Sequence, residues 1–246
     1  MIKRSFWAAA AFFLLSAASY AAKPPVGALD LSTVFAPQQF SNSVQLLMTL
    51  ALITLVPFFL ISVTSFLRIV IVLGLARTAI GTQQVPPNSV IIGLALFMTA
   101  FIMTPVWNEI NTKAVIPYNQ GKMGQIQAFN TGMQPLRKFM FKQTREADLS
   151  LFIQFSKINK PRTFDNVPSY VLIPSFMISE LKTSFQIGFL LFIPFIMIDL
   201  VVANILLSLG MFMLSPVMVS LPFKILLFVL ADGWNLITRG LMMSFM

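Results

Sequence analysis

The chain is expected to be an all-α, polytopic membrane protein, with about four long, kinked hydrophobic helices in two hairpins and a helical extramembrane segment between them. Three observations lead there. Of its 246 residues, 57% are hydrophobic and only 10% charged, whereas a soluble domain carries about 25% charged residues. The mean hydropathy is +0.83. The apolar residues are gathered into runs of roughly 20, the length that spans a bilayer, and prolines punctuate those runs where a helix would kink.

The same composition removes most chemistry. There is no Cys and no His, which excludes disulfides, thiol nucleophiles, Cys/His zinc sites, haem held by His or Cys and every His-based triad. No P-loop run is present. Asp199 and Asp232 lie on adjacent apolar runs, the minimum for an intramembrane aspartyl protease. Such enzymes need glycines before the acid, however, and here the sequence reads Ala231-Asp232-Gly233. No enzyme activity, metal or cofactor is expected. The net charge of +9 does not point to nucleic acid, because the basic residues are scattered and the 25 Phe lie in apolar runs away from them. They are read as polar flanks of membrane segments.

Met1-Ile2-Lys3-Arg4, the apolar stretch Phe6–Leu15 and the small residues Ser16–Ala22 together describe a secretory signal peptide over 1–21, cleaved between Ala21 and Ala22. Ten apolar residues are too few to cross the ~30 Å hydrocarbon layer. A short periplasmic segment, 22–43, follows. The first hydrophobic hairpin is placed at 44–106. Its first run, Val44–Val63, carries Pro57, and apolar character resumes after Arg68. Gly81–Pro87 forms a loop, and the second run, Val90–Val106, ends near Pro105 and Trp107.

From Trp107 to Tyr170 the chain holds nine Lys/Arg and four Asp/Glu, with turn signals throughout. Leu136, Phe139 and Met140 recur at helical spacing, as do Leu149, Phe152 and Ile153. Pro135 suits a first helical turn. These amphipathic faces must pack on something, and partner subunits are the natural candidates. The helical periplasmic segment is drawn as 107–184 and the second hydrophobic hairpin as 185–246, with a turn from Gly210 to Pro216. With the mature N-terminus outside, the basic middle segment opposes the positive-inside rule, which weakens in loops beyond about 60 residues. Helices held partly by protein rather than lipid would also explain that conflict.

An ionisable group in an apolar helix costs about 2.5–3.5 kcal/mol on insertion scales and is a functional candidate by default. Arg68, Glu180, Asp199, Lys224 and Asp232 qualify. With the turn centred near Met213, Lys224 lies within one helical turn of Asp199, so an intramolecular pair is feasible, and Glu180 would more easily reach Lys224 of a neighbouring subunit. The bland reading is a set of ion pairs that hold helix register; a proton relay has no His or second close acid to support it. Methionine is the other signal: 15 Met in all, with Met211, Met213 and Met218 around the hairpin turn. Met repacks easily, so this tip suits either ordinary membrane core or a compliant seal around a pore.

Ser65-Phe66-Leu67-Arg68-Ile69-Val70 and Gly81-Thr82-Gln83-Gln84-Val85-Pro86-Pro87-Asn88 resemble the first signature block of the FliP/SctR family. Glu180–Phe189, Asp199–Ala203 and Leu221-Pro222-Phe223-Lys224 through Ala231-Asp232-Gly233-Trp234 resemble the later blocks. The resemblance implies a core subunit of a type III secretion export gate. Several copies would assemble with FliQ and FliR and other export-apparatus proteins, in the bacterial inner membrane and flagellar basal body, with much of the assembly on the periplasmic side. Unfolded rod, hook and filament subunits would pass through. It further implies a pore gasket at Met211, Phe212 and Met213, with Phe212 standing where another Met is expected and Ser215-Pro216 where Pro-Pro is expected. An inter-subunit salt bridge is carried over to Glu180 and Lys224. The signal peptide resembles the flagellar branch; the virulence branch is the alternative within the family. A small-solute channel or secondary transporter subunit is the alternative from another class, and it would fold and work alone.

Overall fold

A computed structural model describes residues 37–156 and 166–245, all of whose regular structure is helical. The signal peptide, its cleavage point at Ala21 and Ala22, and residues 22–36 lie outside the described residues. The helices are α1 (Pro37–Val63), α2 (Phe66–Ile80), α3 (Asn88–Ile110), α4 (Ile116–Asn119), α5 (Gln125–Gln143), α6 (Glu146–Phe155), α7 (Ser169–Ser208), α8 (Pro216–Leu230) and α9 (Gly233–Met243). A π-helical turn, Asn111–Val115, joins α3 to α4. Three stretches are long and apolar enough to cross a membrane: Val44–Val63, Asn88–Asn119 and Ser169–Ser208. The bent pair α8 and α9, at 63° to one another, makes a fourth if counted as one span. The chain is thus an all-α polytopic membrane protein.

The chain divides into two compact units at Ile53/Thr54. Of the first, the described part is the opening of α1, an apolar helix with Leu46, Leu47 and Met48 exposed. Everything below concerns the second unit.

Prolines in these helices do not end them. Pro57, Pro105, Pro135, Pro174, Pro194 and Pro222 all lie inside helices. Two expectations change as a result. The interruption of the first run falls at Thr64-Ser65 rather than Pro57, where the Thr64 hydroxyl bonds back to the Leu60 carbonyl and also accepts from the Phe66 amide at 3.3 Å. Such bonds offer the backbone an alternative to the helical ladder. Pro135 sits mid-way along α5 and not in its first turn. The segment limits drawn at 106/107 and 184/185 both fall inside continuous helix, since α3 runs on through the π turn and α7 extends unbroken over 40 residues, about 60 Å at 1.5 Å per residue.

α2 is the hub. Ile69, Val72, Leu73 and Ala76 are essentially buried, against Ile91, Ala95 and Met98 of α3, Phe195 of α7, Phe228 of α8 and Ile237 and Leu241 of α9. α2 and α7 approach closely at Gly188, where a Cβ would stand 2.3 Å from Leu75 Cδ1. A second core lies beneath the middle helices: Met140 of α5 meets Val171, Leu172 and Phe176 at the start of α7, with Phe139, Leu149, Phe152 and Ile153 packed around them. The amphipathic faces that seemed to call for a partner subunit are therefore largely covered by the same chain's α7.

Candidate functional site

The α7–α8 hairpin carries the candidate site. α7 ends at Ser208, and Gly210 takes a left-handed φ of 71° that glycine adopts without steric cost; the Met211 amide then donates to the Leu206 carbonyl at 2.9 Å. Pro216 opens α8 in its first turn, where its missing N–H costs nothing. Between them Met211, Phe212, Met213 and Leu214 face outward, Phe212 75% and Met213 100% exposed. Gly81, closing α2, approaches Leu221 and Lys224. The last turns of α7 and the first of α8 therefore lie beyond the end of α2, and the apolar tip stands clear of the core.

Below the tip the hairpin is locked by charge. Lys224 Nζ donates to Asp199 Oδ2 at 2.7 Å, and the Ser220 hydroxyl donates to Asp199 Oδ1. Lys224 is nearly buried and Asp199 partly so. The feasible intramolecular pair is the one found.

Glu180 meets a different cation. Arg68 Nε donates to Glu180 Oε2 at 2.9 Å, and Nη2 donates to Oε1. Arg68 Nη1 donates to the Ser244 carbonyl at 2.9 Å and to its hydroxyl at 3.0 Å, while Nη2 also reaches Gln143 Oε1 at 3.1 Å. A guanidinium has five N–H donors, and here all five are used. Its Cζ also lies 3.9 Å from the centroid of the Phe245 ring. One buried cation thereby ties α2, α5, α7 and the turn after α9 together.

A third polar cluster docks α6 on α7. Ser179 Oγ donates to Asp148 Oδ2 at 2.8 Å, Lys182 Nζ donates to Asp148 Oδ1, and the Arg145 amide donates to Ser179 Oγ at 3.0 Å. Burial works against ionising Asp148, but the bonds from Lys182 and Ser179 and the nearby positive charges outweigh it, and its pKa lies below the ordinary carboxylate value.

Asp232, expected to be buried, is exposed instead. It forms the joint between α8 and α9 with a left-handed φ of 49°, and no side-chain capping bond holds it. The expected members thus come together as two separate intrachain pairs, Arg68 with Glu180 and Lys224 with Asp199. Gln143, Ser244, Phe245 and Asp148 went unnoticed in the sequence. Lys182 one turn from Ser179 was the only local hint, and nothing along the chain names partners 75 or 176 residues away.

A model of the FliP family matches residues 48–241. Flagellar biosynthetic protein FliP of Bacillus subtilis (strain 168) is 51% identical over 209 residues, which is 85% of this chain and 95% of the relative. The protein of the same name from Borreliella burgdorferi is 49% identical over 211 residues, 85% of this chain and 83% of the relative. That from Aquifex aeolicus is 48% identical over 206 residues, 83% and 86% respectively. Half the residues are shared over nearly the whole helical body that carries both ion pairs and the apolar tip, so the chain belongs to the FliP family and is a membrane component of the flagellar export apparatus, not an enzyme.

Proposed function

We propose that the chain is a core subunit of the flagellar type III secretion export gate. Several copies assemble with FliQ and FliR subunits into a gated conduit for unfolded rod, hook and filament proteins. The assembly sits in the inner membrane at the flagellar basal body, with much of it on the periplasmic side. The observation that carries this reading is the tip of the α7–α8 hairpin, where Met211, Phe212, Met213 and Leu214 are all exposed. Turns between helices are normally polar and solvated. An apolar tip held clear of its own core is suited to meeting other tips, and a ring of them closes an aqueous path by filling it with deformable side chains and excluding water. Phe212 adds a stiffer plug between two Met. The conduit is passive, and energy coupling comes from partners.

Glu180 and Lys224 pair across neighbouring copies in this assembly. Glu180 accepts one Arg68 bond on each oxygen, and a carboxylate has about four lone-pair sites, so a neighbour's ammonium can join without evicting Arg68. Glu180 is fully covered and Lys224 nearly so in the single chain, where Lys224 is bonded to Asp199, so assembly must move the side chains over both.

Native mass spectrometry of the gently solubilised protein, expressed with its neighbouring genes, tests the reading. A large hetero-oligomer holding several copies of this chain, each beginning after Ala21, is the expected result. A lone monomer or symmetric dimer with an intact N-terminus would overturn it in favour of the transporter alternative.

A further inference from the structure

Asp232 and Arg239 are exposed, and neither takes part in a salt bridge or side-chain hydrogen bond among the described residues. Seven residues apart, they stand on nearly one face of α9, about 10 Å from each other. Asn235 and Thr238 lie between them on that side and Met242 lies beyond, at the three- and four-residue spacing that aligns helical side chains. From its first residue onward, this face passes from an acid through an amide, a hydroxyl and a guanidinium to a thioether. Beside it a groove of about 630 Å³ opens between α9 and α3, lined by Leu94, Trp234, Asn235, Thr238, Arg239 and Met242. Leu94 is six residues along α3 from Asn88, about 9 Å. The groove therefore lies near the Gly81–Pro87 loop, the polar end of the α2–α3 hairpin, where a hydrophobic span meets lipid headgroups and where tryptophan is favoured.

Lipid tails alone would leave both charges unpaired, and a two-fold contact between copies would pair the charges but leave the groove empty. One molecule satisfies all three features. A phospholipid brings an acyl chain for the apolar part of the groove and a phosphate for Arg239, and basic pockets between membrane helices take such headgroups. Phosphatidylethanolamine adds an ammonium for Asp232. Two salt bridges of up to about 4 Å each cover most of the distance between the charges, and the two-carbon linker from phosphate to amine fills the few ångströms left. Asn235 stands midway, with an NH2 that can donate to the phosphate and a carbonyl that can accept from the ammonium, and the Thr238 hydroxyl is a further donor. We infer that the groove between α9 and α3 binds one amine-bearing, zwitterionic phospholipid. Its phosphate rests on Arg239, its ammonium on Asp232, and its acyl chain runs along Leu94 and Met242. The inference stands apart from the gate reading, since it requires only that the chain lies in a membrane.

The test is a lipid titration followed by native mass spectrometry. The detergent-solubilised full chain, stripped of lipid, is titrated with phosphatidylethanolamine or with phosphatidylglycerol of the same acyl chains, which has the phosphate but no amine. Phosphatidylethanolamine should bind about two- to fivefold more tightly, the worth of one exposed salt bridge. Asp232→Asn, which keeps a residue type tolerant of left-handed φ, should remove that preference without weakening phosphatidylglycerol. Arg239→Gln should weaken both lipids about tenfold, as loss of a hydrogen-bonded charge does, and Arg239→Lys should restore only part of it. Leu94→Trp, which fills the groove and leaves both charges in place, should weaken the two lipids equally. Both charged sites are exposed, so thermal unfolding of Asp232→Asn and Arg239→Gln should match that of the native chain and separate lost binding from lost folding. Equal binding of the two lipids by the native chain, or binding indifferent to both charge removals, would overturn the site and leave only non-selective boundary lipid. A dimer that excludes lipid and is lost with either charge removal would overturn it in favour of a two-fold contact between copies.

Discussion

Arg68 and Glu180 show why a buried ion pair needs its full set of partners. Desolvating two charges is repaid only when geometry is good and remaining donors are satisfied, and every Arg68 donor is engaged. Arg68→Met should therefore cost about 3–5 kcal/mol, because it strands a buried carboxylate. The double variant Arg68→Met/Glu180→Met should recover much of that loss in thermal unfolding of the detergent-solubilised protein. Equal destabilisation of single and double variants would argue against the pair. Asp148 makes a pH-dependent contribution with a definite sign. Its folded pKa is depressed, so the unfolded chain binds more protons around the ordinary aspartate pKa of about 3.9, and stability rises with pH there. That contribution is full above the unfolded value and lost as pH falls through the folded one. Asp148→Asn should flatten the acid limb of a stability–pH curve while also lowering the plateau at neutral pH. Exposure of the Lys182 side chain at 53% keeps the effect modest through solvent screening.

Helices here are set by packing and length more than by propensity. α7 carries Pro174 and Pro194 yet runs for 40 residues, since neighbouring helices and Ser side chains in a membrane-scale bundle can re-satisfy the freed backbone groups. Its contact with α2 depends on Gly188. A methyl there meets Leu75 Cδ1 at 2.3 Å and its Cβ and Cγ at 3.3 Å, so the flexible end of Leu75 must turn away and its stem must also give. Gly188→Ala should cost about 1–3 kcal/mol, as overpacking does, and Leu75→Ala in the same chain should return part of it. Additive losses in the pair would place the strain elsewhere. The hairpin register rests on Asp199 and Lys224. Asp199→Asn leaves the nearly buried Lys224 ammonium of the single chain without its counter-ion and should lower the thermal stability of the detergent-solubilised chain more than Asp199→Asn combined with Lys224→Met.

The sealing role proposed for the apolar tip is tested at the scale of the assembly. Replacing Met211, Phe212 and Met213 together with Ala removes bulk at exposed positions, so folding of the single chain should change by less than about 0.5 kcal/mol. Ion leakage through membranes containing the co-expressed assembly should nevertheless rise. Unchanged permeability in a complete assembly would remove the tip from any role in sealing.

Much of this architecture was legible along the chain. Uncharged apolar runs announced the membrane helices, Gly81–Pro87 and Gly210–Pro216 announced the turns, and Arg68, Glu180, Asp199 and Lys224 stood out as charges in apolar surroundings. Those properties are local, because hydropathy, glycine's access to positive φ and proline's missing donor are carried by the residue itself. The partner of each charge was not local. Glu180 met Arg68 because α2 and α7 touch along Gly188, and Asp148 met Lys182 because α6 folds back on α7. Asp232 was exposed because a left-handed residue and a 63° bend turn α9 away just beyond it. A charge in an apolar run tells that some counter-ion is required. Which one supplies it is decided by which helix surfaces close against one another, and that depends on small residues, side-chain volumes and hydrogen-bond geometry drawn from positions far apart in the chain.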